Sequence, residues 1–68
     1  MNFKEYEIVK AAEVEGHKVE IQKFDDGSYE VVMMMKNGGA MDFPFEKYLQ
    51  ALAKFRFIEK TLKEGAAV

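Results

Sequence analysis

The sequence predicts an α+β domain, with a three- or four-stranded antiparallel sheet packed against one C-terminal helix. Three observations carry that reading. Residues 17–36 alternate apolar and polar side chains on both sides of Asp25-Asp26-Gly27, as the two arms of a β-hairpin do. Residues 43–64 place apolar side chains at helical spacings of three and four. A chain of 68 residues without Cys has room for one small core. Residues 1–68 therefore read as a single domain, with 65–68 as a frayed tail.

The first element spans residues 3–15. Asn2 followed by Glu5 resembles a capping box, and Lys10-Ala11-Ala12 favours helix by propensity. Yet Phe3, Tyr6, Ile8, Val9 and Val14 scatter around a helical wheel. As a strand, Tyr6, Ile8, Ala12 and Val14 share one face, interrupted by Lys10. Strand is the preferred reading and helix the alternative. Glu15-Gly16 then turns the chain into the next strand.

Two registers compete for the central hairpin. A two-residue loop, Asp26-Gly27, would set Ile21 opposite Val32 and mix apolar with charged residues on each face. A three-residue loop, Asp25-Asp26-Gly27, sets Ile21 opposite Val31 and Val19 opposite Met33. Gly27 then takes the left-handed position of a type I turn with a bulge. Burial of one coherent face favours the second register, because a one-residue slip would turn every side chain over. Val19, Ile21, Tyr29, Val31, Met33 and Met35 then face the helix. Phe24, Val32 and Met34 fall on the other face, among Lys18, Glu20, Gln22, Ser28, Glu30 and Lys36.

Asn37-Gly38 allows a further turn, with a short fourth strand at Ala40 and Met41. For the helix, Asp42 reads as the cap, with Phe43 at the first position and Pro44 just inside. Tyr48, Ala51, Phe55, Ile58 and Leu62 form the apolar stripe, widened at its start by Phe45, Leu49 and Leu52. Glu46 near the start and Lys60 and Lys63 near the end suit the helix dipole, and Gly65 stops the helix.

Composition narrows the function classes. No Cys and a single His remove disulfide, thiolate-metal and zinc-cluster devices, and no loop has the ligand spacing of an EF-hand. Neither a metal nor a cofactor is therefore expected. The net charge is -2, and residues 1–41 hold eight acids against five bases, which opposes a general nucleic-acid binder. The mixed-charge N-terminus lacks an apolar signal region and no apolar run approaches membrane-spanning length, so a cytoplasmic location is expected. Apolar residues make up 49% of the chain, including six Phe and three Tyr, more than a narrow sheet and one helix readily hide. Self-association as a homodimer follows as an expectation.

The inventory for catalysis is poor. His17 has no second His nearby and no nucleophile at a recognisable spacing, and it reads as a surface structural residue. Asp25-Asp26 before Gly reads as a turn former and not as an acid–base pair. In "KNGGA", Lys36 precedes the glycines and no Ser or Thr follows, so the phosphate-loop pattern fails. No catalytic residue is assigned.

Recognition is the better use of the leftover apolar surface. Phe57 lies off the main helical stripe, near Gln50, Ala53 and Lys54, and burying its ring would contribute about 1.5–3 kcal/mol. Phe57, Met34, Phe24, Val32 and Lys54 form the expected partner-binding set in a small non-enzymatic protein-binding or regulatory module. The alternative is single-stranded nucleic-acid binding, with Lys47, Lys54, Arg56, Lys60 and Lys63 as the bases and Tyr29 and Phe24 as stacking platforms. The preferred register weakens it by placing those two aromatics on opposite faces.

Overall fold

The computed structural model describes residues 5–65. Strands β1 (Tyr6–Val14), β2 (His17–Phe24), β3 (Tyr29–Met34) and β4 (Ala40–Phe45) form an antiparallel meander in the order β1-β2-β3-β4. Helix α1 (Tyr48–Lys63) packs across one face. The fold is α+β, as the alternation and the helical stripe predict. The expectations for Asn2, Phe3 and residues 66–68 lie outside the described residues.

The central register is the three-residue-loop one. Ile21 pairs with Val31 and Val19 with Met33. Gly27 has a φ of 89°, donates its N–H to the Phe24 carbonyl at 3.0 Å, and leaves Phe24 N–H to the Ser28 carbonyl at 2.9 Å. Asp26 Oδ1 accepts from the Ser28 backbone N–H at 2.9 Å and from Ser28 Oγ at 2.6 Å, closing the turn with a side chain. The β3–β4 loop repeats this geometry. Gly38 has a φ of 97° and donates to the Met35 carbonyl at 3.0 Å, Met35 N–H donates to the Gly39 carbonyl at 2.6 Å, and Asn37 Oδ1 accepts from Gly39 N–H at 3.0 Å. Asp-Gly and Asn-Gly thus encode the same turn twice.

β1 differs from the simple alternation in one respect. Ile8 pairs with Gln22 but Lys10 pairs with Ile21, so Val9 is a bulge. Tyr6 and Ile8 therefore share the face of Gln22 and Phe24, while Lys10 and Ala12 share that of Ile21 and Val19. The single face expected for Tyr6, Ile8, Ala12 and Val14 is split by that extra residue. Lys10 now lies on the helix side, and its ammonium reaches 5.5 Å from the centre of the Phe55 ring. Glu15 and Gly16, both at positive φ (52° and 88°), make the tight turn into β2.

The helix starts later than the capping signal implies. Asp42, Phe43 and Pro44 belong to β4, which runs through Phe45 and extends well past the expected Ala40 and Met41. Two forces override the cap. The residue before a proline is disfavoured in helical conformation, and extended backbone sets Phe43 opposite Val31 and Phe45 opposite Tyr29, both packed on the core. Pro44 loses little on an edge strand. Tyr48 opens α1 after Lys47, an N-cap with extended φ and ψ and no side-chain hydrogen bond. Gly65, at a φ of 66°, closes it by donating to the Leu62 carbonyl at 3.1 Å.

Val19, Ile21, Val31, Ala51, Phe55 and Ile58 form the core, with Ala12, Tyr29, Met33, Phe43, Phe45, Leu52 and Leu62 around it. Met33 therefore packs inward while Met34, pairing with Lys18 and Ala40, faces away. Leu49 departs from the expected stripe and is 74% exposed. His17 has a structural role. Its Nδ1 accepts the Lys36 backbone N–H at 3.0 Å, tying the start of β2 to the β3–β4 loop.

Two stability outcomes follow. Lys47→Asp supplies the missing cap and places a carboxylate at the positive end of the dipole, so urea denaturation should show a gain of about 0.5–2 kcal/mol. His17→Ala should lose about 0.5–1.5 kcal/mol by the same measurement, with His17→Asn, which keeps an acceptor, recovering part of it.

Candidate functional site

Two exposed apolar surfaces lie on opposite sides of the sheet–helix sandwich. The first is a groove of about 170 Å³ between the flank of α1 and strands β3 and β4, lined by Met33, Phe43, Lys54, Phe57, Ile58 and Leu62, with Thr61 at its wall. Helical spacing brings Lys54, Phe57 and Thr61 to one flank of α1, beside the buried Ile58. β4 supplies Phe43 from below. Phe57 is 61% exposed despite this setting. The Lys54 ammonium sits 4.3 Å from the centre of the Phe43 ring and 5.5 Å from that of Phe57. Such contacts contribute about 0.5–1 kcal/mol at exposed sites and hold the cation in place. The groove is thus an apolar slot with one oriented positive charge at its lip.

The second surface is the sheet face that α1 does not cover. Its rows follow from the register. Ile8, Gln22, Glu30 and Pro44 form one, Ala11, Glu20, Val32 and Asp42 the next, and Glu13, Lys18, Met34 and Ala40 the third. Val32 and Met34 are half-buried at its middle, and Ile8 is 53% exposed. Four carboxylates, Glu13, Glu20, Glu30 and Asp42, surround them, with the ammonium of Lys18 in the row of Met34. Gln22 Nε2 donates to Glu20 Oε2 at 2.7 Å, which fixes that carboxylate on the face.

Compared with protein-family models, curated proteins and solved structures, the chain shows no significant match. Of the five residues expected to bind a partner, Phe57 and Lys54 come together in the groove, whereas Val32 and Met34 lie on the uncovered sheet face. Phe24 is on the side of that face but only 7% exposed, with the Tyr6 ring 5.6 Å away at a tilt of 55°. Phe43 and Met33 complete the groove, and the sequence reading missed Phe43 because it placed that residue in the helix. The pre-proline position was the signal that could have moved it to a strand.

The residues weighed for other chemistry are also placed. Tyr29 stacks at a tilt on Tyr48, 5.7 Å between ring centres, on the helix side. It cannot share a base-stacking platform with Phe24. Asp26 and Ser28 are joined in the turn. Among the described residues, no three His, Cys, Asp or Glu side chains gather as a metal-binding group, and no helix is long and apolar enough to cross a membrane.

The contrast between neighbouring phenylalanines is testable. Phe55 is 1% exposed, so Phe55→Ala should cost about 3–5 kcal/mol and remove cooperative thermal unfolding. Phe57→Ala should stay within about 1 kcal/mol of the parent in the same experiment, because its ring already faces water.

Proposed function

We propose that this protein is a small non-enzymatic recognition module that binds protein partners, including copies of itself, through its exposed apolar surfaces. One observation carries the reading: Phe57, an aromatic ring largely in water, borders a mostly apolar groove with Thr61 at its wall and an ammonium held at its lip. Aromatic side chains in such settings dominate binding energies at interfaces. The groove's volume suits one aliphatic or thioether side chain, and Lys54 favours a carboxylate beside it. The matching ligand is therefore a peptide segment with an apolar anchor next to Asp or Glu.

The charge distribution supports a protein partner over single-stranded nucleic acid. Phosphate would meet four carboxylates on the uncovered sheet face, and of the α1 bases Lys54 is engaged with the Phe43 and Phe57 rings. A group tuned for acid–base chemistry is usually desolvated, and no described charged side chain is buried.

Peptide selection by phage display, followed by titration into isotope-labelled protein, tests the reading. Selected peptides should carry an aliphatic or Met residue beside an acid and should shift the resonances of Met33, Phe43, Phe57 and Thr61. Phe57→Ala should weaken them by about tenfold or more. Equal binding by Phe57→Ala, or selection of nothing, would reject the groove as the site.

A further inference from the structure

The two exposed surfaces carry opposite charge. α1 and its caps present Lys47, Lys54, Arg56, Lys60 and Lys63 against Glu59 and Glu64, and Glu59 is already paired with Lys63 at 3.3 Å. The far side of the domain presents Glu13, Glu20, Glu30 and Asp42 in its strand rows, with Lys18 and, beside Gly16, Lys36 as counter-charges. We infer that the partner of the groove is a second copy of this chain, docked head to tail, with the Phe57–Lys54 flank of one copy on the Val32–Met34 sheet face of the next. This rests on the recognition reading above and names its partner.

Three observations select this arrangement. A symmetric contact between two sheet faces would set carboxylates against carboxylates, and one between two helices would set Lys54, Arg56 and Lys60 against themselves. Only the unlike pairing joins opposite signs. The sheet face also holds what the groove asks for. Met34 is unbranched and adaptable, and on the adjacent row Val32 is flanked by Glu20 and Asp42, carboxylates for Lys54. Finally, the domain measures 38 × 27 × 15 Å, and the two surfaces occupy its opposite broad sides. One copy can engage two neighbours at once, so the contact extends into chains instead of stopping at a pair.

Mixing two variants decides it. Sedimentation of the parent protein should show an average mass that passes two protomers as concentration rises into the high micromolar range and falls as salt is added. Met34→Glu breaks the sheet face, Phe57→Glu breaks the helix flank, and each alone should sediment as a monomer. An equimolar mixture should give dimers and nothing larger, because one intact face of each kind remains. Circular dichroism checks folding, and Asp42→Lys, at an exposed edge position, replaces Met34→Glu if that variant unfolds. A mixture that stays monomeric, a parent protein that stops at dimers, or a strictly monomeric parent overturns the head-to-tail contact. If the parent is monomeric while selected peptides still bind at Phe57, the recognition reading stands and the self-docking falls. If neither occurs, both fall.

Discussion

The pairing of Ile21 with Val31 and Val19 with Met33 is the constraint on which the rest of the molecule depends. It gathers the apolar residues of the two central strands onto one face, and only that face can receive Phe55, Ala51 and Ile58 from the helix. A chain this short has no second core to fall back on, and it has no Cys with which to staple one. Slippage by one residue would exchange Ile21 for charged neighbours and leave the helix nothing to pack on. The two loops guard against that. Each fixes its strand pair through a left-handed Gly and an Asp or Asn side chain, so the turns specify the same register that the core requires.

The same constraint creates the uncovered surface. Once one side of the sheet takes the helix, the alternate residues of every strand must face away, and there Val32 and Met34 have no second layer to cover them. An apolar pair ringed by carboxylates is what remains. The groove arises differently. Phe43 belongs to the outer strand and Phe57 to the helix flank, and the space between them is left because α1 is too narrow to roof β4 completely.

Much of this was legible in the sequence. The central hairpin was readable because alternation, turn chemistry and the need for one apolar face agreed. The helical stripe was readable from Tyr48 onward for a similar reason. What could not be read came from competition between levels. Asp42, Phe43 and Pro44 look like a helix start, yet the gain from laying Phe43 and Phe45 against the sheet outweighs the cap. Leu49 stands two residues before Ala51, about 160° around the helix from the buried stripe, so it faces water. The bulge at Val9 inverts half of β1 and brings Lys10 to the helix side, and no local residue type announces it. Of the partner-binding set, the residue types were informative and the geometry was not, since Phe57 with Lys54 and Val32 with Met34 stand back to back and Phe24 is covered.

The bulge at Val9 and the proline of the last strand have a shared consequence. They sit on β1 and β4, the two outer strands, where unsatisfied backbone groups would otherwise recruit foreign chain. A kinked border on one side and a missing N–H on the other discourage lateral growth of the sheet. Material built from stacked folded copies would therefore lack the meridional 4.7–4.8 Å reflection of amyloid fibres, and its repeat along the growth axis would be set by the thickness of a whole domain.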